Sequence, residues 1–314
     1  MQIQQLCQNI SDEMKKVIVG QQDVIKNIIL AFLANGHVIL EGVPGLAKTI
    51  IARTFAKIIG LAFNRIQFTP DLMPADITGH MIYNLRDSQF NFSKGPVFTN
   101  ILLADEINRC SPKTQSALLE AMQEKQVTID GKKHILSSPF MVLATQNPIE
   151  FEGTYPLPEA QIDRFLMKLK VTYPDQETEL NVLKKFYQGF DSSQLDTINF
   201  KMIDADLLKN CFAELSKIRV EESIMNYILN IIRKTRSHKK ILLGASTRSA
   251  INFLQLTRFL AGMHGRDYVI PDDIKEIALP ILRHRLVLQA DADIEGIDSD
   301  NLIMEIIASE ESPR

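Results

Sequence analysis

Cysteine is scarce in this chain. Its 314 residues hold three, Cys7, Cys110 and Cys211, far apart and without a C-x-x-C pair. That spacing gives no disulfide framework and no cysteine zinc site, and it suits a reducing compartment, the cytoplasm. The six histidines are equally scattered and form no H-E-x-x-H pattern; His37, just before an apolar run, reads as structural. Long apolar stretches are missing too, since none approaches the ~18 residues of a membrane helix. Met1 to Leu6 lacks the basic region and apolar core of a signal peptide. There is no excess charge: the net value is -3, so no global field favours nucleic acid. The longest basic run, Arg233 to Lys240, reads as a solvated loop between two helical elements. No repeat or low-complexity tract is present. What remains is 45% hydrophobic and 23% charged, an ordinary globular balance, at a length that suggests two domains.

One stretch carries chemistry on its own. Val38-Ile39-Leu40 is apolar and precedes Gly42-Val43-Pro44-Gly45-Leu46-Ala47-Lys48-Thr49, which leads into a helical pattern from Ile50. A strand, a glycine loop and a helix in that order expose backbone N–H groups at a positive helix N-terminus, a cradle for phosphate. Lys48 is placed to reach the β- and γ-phosphates, and the Thr49 hydroxyl to ligate Mg²⁺. Ala47 stands where the common G-x-x-x-x-G-K-[ST] pattern has glycine, so its methyl group is expected to require a negative φ. By itself the loop is also compatible with a plain strand–helix turn. The second signal is Ile101-Leu102-Leu103-Ala104, apolar at every position and ending in Asp105-Glu106. Such a run fits a parallel strand buried on both faces. Asp105 is the expected outer ligand of Mg²⁺ through water, and Glu106 the expected base for an attacking water.

Along the chain, Ser11 to Lys16 and Gln22 to Ala34 read as helices. Phe63 to Phe68, Met141 to Thr145 and Phe165 to Leu169 read as further strands. Gly60 is placed to stop the helix that follows the loop. Strands alternating with helices predict a parallel α/β sheet with its ligand at the carboxyl ends, which carry Gly42, Asp105-Glu106 and Gln146-Asn147. Two inserts interrupt the rhythm. Met81 to Thr99 predicts a hairpin around Arg86-Asp87-Ser88-Gln89. Gln126 to Leu136 predicts a second one, turning at Asp130-Gly131, a pair suited to a tight primed turn. Both read equally well as decoration of sheet edges. After Tyr173-Pro174 the pattern becomes helical: Asp175 to Gln188, a loose connection over Gly189 to Phe200, then Leu207 to Ile218, Ser223 to Thr235, Arg248 to Gly262 and Pro271 to Arg285. Asp291 to Arg314 is acidic and holds one more short helix.

These motifs together resemble the AAA+ ATPases, and within them the MoxR family of the helix-2-insert clade, over nearly the whole chain. The resemblance rests on Gly42 to Thr49, Asp71 to Gly79, Ala104 to Arg109, Gln115 to Met122, Ala144 to Pro148, Leu157 to Phe165 and Gly244 to Arg248. It implies a parallel-sheet P-loop NTPase core over residues 1–173, with inserts near 81–99 and 126–138, and a C-terminal all-α lid over 174–314. It makes alanine at 47 the usual residue. It implies ATP and Mg²⁺ as ligands, and Ile50 as the last residue of the phosphate loop's contact set. Asn147 then matches the first sensor, holding the attacking water; as sequence, Asn147-Pro148 is also a simple turn. Arg164 matches the arginine finger offered to a neighbouring subunit, a planar cation suited to γ-phosphate oxygens; the local alternative is a pair with Asp163 or Glu159. Arg248 matches the second sensor, acting in cis or in trans. Val19 and Gly20 match the segment that packs on adenine.

The resemblance further implies a homo-oligomeric ring, commonly a hexamer, that hydrolyses ATP to remodel or mature client proteins. Co-proteins with a von Willebrand factor A domain and a role in metal-cofactor insertion belong to that expectation. Two alternatives stay open at this point. One is a nucleic-acid motor or chelatase-type subunit, against which the balanced charge argues. The other is a nucleotide-dependent scaffold with little turnover, against which Glu106 and Arg164 argue.

Overall fold

The computed structural model describes the chain except residues 87, 150–152, 192–194, 196 and 314. Asp87 of the first expected turn therefore lies outside the described residues. So do Ser192, Ser193, Gln194 and Asp196 of the loose connection, and Arg314.

Two helices, α1 (Gln2–Lys15) and α2 (Gln22–Leu33), precede β1 (Val38–Glu41). Next come α3 (Lys48–Ile58), β2 (Phe63–Gln67) and the short α4 (Pro74–Thr78). A hairpin of β3 (Gly79–Asn84) and β4 (Gln89–Lys94) leads to β5 (Ile101–Asp105) and α5 (Pro112–Glu124). A second hairpin, β6 (Gln126–Ile129) with β7 (Lys132–Ile135), is followed by β8 (Met141–Gln146), α6 (Glu159–Ile162) and β9 (Met167–Lys170). The C-terminal part comprises α7 (Gln176–Tyr187), α8 (Ala205–Leu215), α9 (Glu222–Ser237), β10 (Ile241–Leu243) and α10 (Thr247–Met263). It ends with α11 (Pro271–Leu282), β11 (Val287–Leu288), α12 (Ala290–Ile294) and α13 (Ser299–Ala308).

The central sheet is parallel, in the order β2-β5-β8-β1-β9. Its inner strands β1, β5 and β8 are buried on both faces, and alternate residues divide between two apolar layers. Val38, Leu40, Ile101, Leu103 and Leu143 face α1–α3 and the C-terminal helices. Ile39, Leu102, Ala104, Val142 and Ala144 face α5. The all-apolar spelling of β5 and β8 follows from this two-sided burial. Because β1 lies between β8 and β9 while β2 is at the far edge, the chain reverses direction across the sheet beside β1. That crevice, at the carboxyl ends of the strands, is where such sheets bind ligands.

Both inserts are antiparallel hairpins. In the second, Asp130 and Gly131 take φ values of 50° and 73°, the positive pair a primed turn needs. The two hairpins touch, with the rings of Phe92 and His134 4.2 Å apart. Gly60, at φ 68°, ends α3 as expected.

Four expectations are corrected. The first helix starts at Gln2, not Ser11. Its stripe Ile3, Leu6, Cys7, Ile10 and Met14 is buried, a helical period interspersed with glutamine and serine that hid it. The last strand of the central sheet starts at Met167 rather than Phe165. Of the basic run Arg233 to Lys240, the residues up to Ser237 are the last turn and more of α9, and only 238–240 form a loop. Several of its charges are engaged: Lys234 pairs with Glu310 at 2.8 Å, Lys240 with Glu295 at 3.0 Å, and Arg236 Nε donates to the Ala245 carbonyl. The fourth, at Ala47, belongs to the site below.

The C-terminal part is helical apart from the ribbon of β10 with β11. It sits on the core through α1, which contacts α3 on one side and α8 and α10 on the other. The amide N of Ile3 donates to Glu214 Oε2 at 2.9 Å. Among the described residues, no helix is long and apolar enough to cross a membrane.

Candidate functional site

The loop after β1 is anchored before it turns. Gly42 N donates to the Gln146 carbonyl at 3.1 Å, tying the start of the loop to the end of β8. A Cβ on Gly42 would lie 2.5 Å from the Val171 carbonyl oxygen, so no side chain fits there. Ala47 has φ 56° and ψ 15°, left-handed backbone immediately before α3. The expectation of a negative φ is thus overturned: the loop needs the turn a glycine would make, and the fold holds alanine in it at a cost of roughly 1–2 kcal/mol. From Lys48 the chain is helical, and the first turn of α3 presents unpaired N–H groups.

A cavity of about 520 Å³ opens at this point. Pro44 to Ile50 line it together with Asp105, Glu106 and Asn147. The lysine, the threonine, both carboxylates and the amide singled out in the sequence therefore share one space. Lys48 Nζ donates to the Gly42 carbonyl. Burial lowers its pKa, while Asp105 and Glu106 pull the other way.

Side chains that sequence reasoning missed hold the carboxylates. Thr145 Oγ1 donates to Asp105 Oδ1 at 2.6 Å and accepts from Glu106 N at 2.8 Å, so one hydroxyl fixes both residues. Arg65 Nη2 pairs with Asp105 Oδ2 at 2.7 Å. Glu106 Oε2 accepts from Gln67 Nε2 at 2.8 Å and pairs with Arg109 at 3.0 Å. The signals were present but local: Thr145 is the one hydroxyl in an apolar strand, and Arg65 and Gln67 alternate on β2. Their use depends on the pairing of β2 with β5, which sets Gln67 opposite Asp105. Asn147 is buried, and its Oδ1 accepts from Ile149 N at 3.2 Å. The residue is thus a turn former and a wall of the cavity at once, with its Nδ2 hydrogens as the donors left for a ligand.

Beside the loop lies a second space of about 480 Å³, walled by Val19, Pro44 to Ala47, Tyr173, Pro174 and one face of α7 through Glu179, Val182 and Leu183. Its apolar walls suit a flat heterocycle next to the phosphates. Val19 is in this wall. Gly20, at φ 75°, turns the chain behind it, and Val43 packs into the core under the loop. The contribution of α7 was missed, because Asp175 to Gln188 read only as a helix and nothing in the sequence places that helix beside the loop.

A divalent cation fits this donor set in one way. Thr49 and Asp105 line the same cavity, but both Asp105 oxygens are already engaged by Thr145 and Arg65. Among the described residues no group of three or more His, Cys, Asp or Glu side chains is arranged to hold a metal. An ion here would be held largely by ligand oxygens and water, the habit of Mg²⁺.

Arg164 and Arg248 are elsewhere. They line a space of about 380 Å³ with Gly36, His37, Lys125 and Asp163. His37 precedes β1 and Gly42 follows it, so the two sites are separated by about 16 Å of strand. The local alternative for Arg164, a pair with Asp163 or Glu159, is not formed. Asp163 instead pairs with Arg285 at 2.7 Å and approaches Arg248 at 3.7 Å. Arg164 has no ion-pair partner among the described residues.

A phosphate loop, paired carboxylates and a polar strand end on this sheet order, followed by a helical part, define a P-loop ATPase of the AAA+ class. Comparison with known proteins agrees. Residues 37–167 match the model of the ATPase family associated with various cellular activities (AAA), and residues 233–306 match the AAA lid domain. Chaperone MoxR1 of Mycobacterium tuberculosis is 43% identical over 312 residues, 96% of this chain and 81% of that protein. The uncharacterised YeaC of Bacillus subtilis is 47% identical over 302 residues, 96% of this chain and 93% of its own. A crystal structure of a candidate ATPase from Cytophaga hutchinsonii superposes with a TM-score of 0.88 at 44% identity, covering 99% and 96% of the two chains. The chain belongs to the MoxR family of AAA+ ATPases.

Proposed function

We propose that the chain hydrolyses ATP in a closed ring of identical subunits, each site being completed by its neighbour. The observation that carries the reading is the division of the machinery: Lys48, Thr49, Asp105, Glu106 and Asn147 line one cavity, while Arg164 and Arg248 stand together at the other end of β1. In this reading the loop N–H groups and Lys48 bind the β- and γ-phosphates, and the adenine lies between Val19 and α7. Thr49 and, through water, Asp105 hold Mg²⁺, which when bound neutralises phosphate charge. The Glu106 carboxylate takes the proton of the attacking water, which Asn147 Nδ2 orients. Arg164, without an ion-pair partner among the described residues, is offered to the γ-phosphate of the next subunit's ATP. Arg248 shares its surface and so acts in trans as well.

The core spans 1–173 and the lid 174–314 in this reading; the change to helices after β9 supports that boundary. The ring is a hexamer, the work is chaperone-like remodelling in the cytoplasm, and clients include proteins with a von Willebrand factor A domain or ones that receive a metal cofactor. Support for these finer points is family membership and the chaperone name of the mycobacterial relative.

The test of the site is calorimetry with Mg-ATP. Lys48→Ala should lose most nucleotide affinity; unchanged affinity would remove the phosphate loop from the reading. The test of the ring is mixing. Arg164→Ala and Glu106→Gln should each be nearly inactive, yet a one-to-one mixture makes about a quarter of interfaces complete, and that fraction of hydrolysis should return.

A further inference from the structure

Arg285 has no place in the site as described so far, yet it is one of the few charged side chains that the fold buries, at 7% exposure. It follows the end of α11, in the lid, but its donors reach into the core. Nη2 donates to the Phe165 carbonyl at 2.6 Å and Nη1 to the Leu166 carbonyl at 3.2 Å; Nε pairs with Asp163 Oδ1 at 2.7 Å. Nη1 also donates to the Ile281 carbonyl, closing the end of its own helix. The two residues before it do the same at smaller scale: His284 Nε2 meets the Phe165 carbonyl at 3.1 Å, and Arg283 Nη1 the Lys168 carbonyl at 3.4 Å. Three consecutive lid residues thus grip the segment from Asp163 to Lys168.

Arg164 is inside that segment. Arg285 holds the side chain immediately before it and the two carbonyls immediately after it, while Arg164 has no ion pair among the described residues. A guanidinium has five donors in a fixed plane, so this set of acceptors fixes an orientation as well as a distance. A buried charge with one carboxylate and several carbonyls is retained at a desolvation cost, which a merely space-filling apolar residue would avoid.

We propose that Arg285 is the positioning residue of Arg164: it ties the lid to the segment 163–168 and sets where the finger stands for the neighbouring subunit. A shift of the lid would move the finger, so the nucleotide state that moves one subunit's lid would change hydrolysis in the next. This inference rests on the reading of Arg164 as a trans finger.

The experiment is a three-way mixing assay with full-length chains, reading ATP hydrolysis, nucleotide affinity and assembly. The control mixes Arg164→Ala with Glu106→Gln. Arg285→Gln alone should bind Mg-ATP and assemble but lose hydrolysis by about tenfold or more, since a misplacement near 1 Å costs up to ~10²-fold. Mixed with Glu106→Gln it should regain about a quarter of wild-type activity, because the intact Glu106 of one subunit then meets an intact finger segment in the other. Mixed with Arg164→Ala it should regain nothing, because neither subunit offers a finger. Asp163→Asn, which keeps an acceptor at Oδ1, should fall in the same class with a smaller loss, and it carries the test if Arg285→Gln does not fold. Loss of activity from general destabilisation would not sort partners in this way. Rescue by Arg164→Ala, wild-type activity, or no rescue by Glu106→Gln while the control succeeds would each overturn the role of Arg285. Failure of the control itself would overturn the finger assignment instead.

Discussion

The two ends of β1 are built from opposite materials. At the Gly42 end, backbone N–H groups and two carboxylates surround the cavity, and the cations Arg65, Lys48 and Arg109 are each matched to an anion or a carbonyl. At the His37 end, Lys125, Arg164 and Arg248 line a space whose one carboxylate, Asp163, is taken by Arg285. One end is balanced; the other has positive charge to spare. On the ring reading, the contrast teaches why a site would draw on its neighbour: the end with the phosphate cradle and the end with spare cations lie about 16 Å apart along β1.

The sharpest way to break that comparison is at the balanced end. Glu106→Gln keeps shape and the hydrogen bond to Gln67 but cannot accept a proton. Turnover should fall by roughly 10²-fold or more, with Mg-ATP binding retained. Steady-state hydrolysis beside calorimetry checks this, and near-normal turnover would move the base to another residue.

Next in size is Thr145→Val. The hydroxyl holds Asp105 Oδ1 and accepts from Glu106 N, so its loss leaves a backbone donor and a carboxylate oxygen unpaired together, at about 1–3 kcal/mol. Asp105 is then held by Arg65 alone, and the backbone that carries Glu106 loses its anchor. Hydrolysis should drop by about tenfold, and the unfolding midpoint in urea should fall; unchanged kinetics would show that Arg65 and Gln67 suffice to place the pair.

How legible these two ends were in the sequence differs, for a physical reason. The cradle at Gly42 is made by residues adjacent in sequence, and its loop spells its own geometry. Asp105-Glu106 sits at a strand end that announces itself by being apolar throughout. The hairpin at Asp130-Gly131 is equally local. Thr145, Arg65 and the helix over the base site were invisible because their roles come from strand register and from the packing of α7. Arg285 was invisible because its partners are about 120 positions away in sequence, and a lone arginine near a helix end reads as a solvated charge. Ala47 was misread for the converse reason: local preference asked for negative φ, and the surrounding fold overrode it.

Mild acid should act on the His37 end. His37 Nδ1 accepts from Val142 N at 3.0 Å and its Nε2 faces the Met122 carbonyl at 3.3 Å, so the ring is needed neutral. Burial, with a smaller contribution from Lys125, pushes its pKa down from the ordinary 6.5 to about 4. His284 is lowered well below the ordinary range by burial and by Arg285. The sign follows: with the folded pKa depressed, the unfolded chain binds more protons below pH 6.5. Stability is therefore full above that value and is lost as pH falls toward 4, by up to about 1.4 kcal/mol per pH unit for each ring. Thermal unfolding at pH 7.5, 6.5 and 5.5 should show the midpoint falling only in the last interval, and His37→Asn should flatten that fall. A slope unaffected by removing the ring would assign the acid response to other groups.

The smallest effect tests the Gly42 end again, through the backbone. Ala47 stands at φ 56°, where an L-residue is strained by roughly 1–2 kcal/mol and glycine is not. Ala47→Gly releases that strain but adds freedom to the unfolded chain, a loss of roughly 0.5–1 kcal/mol, so net stability should change by less than about 1 kcal/mol. Ala47→Val cannot share that cancellation. A β-branched side chain at positive φ meets its own backbone, so the loop must open, and both unfolding stability and Mg-ATP affinity should fall. The pair of variants separates two explanations of the alanine. If the loop's shape alone matters, glycine binds Mg-ATP as well as alanine does. If alanine is there to stiffen a cradle that would otherwise sample other turns, glycine binds more weakly at equal stability, because ordering the loop is then charged to binding rather than to folding. Urea unfolding and calorimetry on the same two proteins decide between them, and a valine variant with wild-type affinity would show that the left-handed turn is not what holds the phosphates.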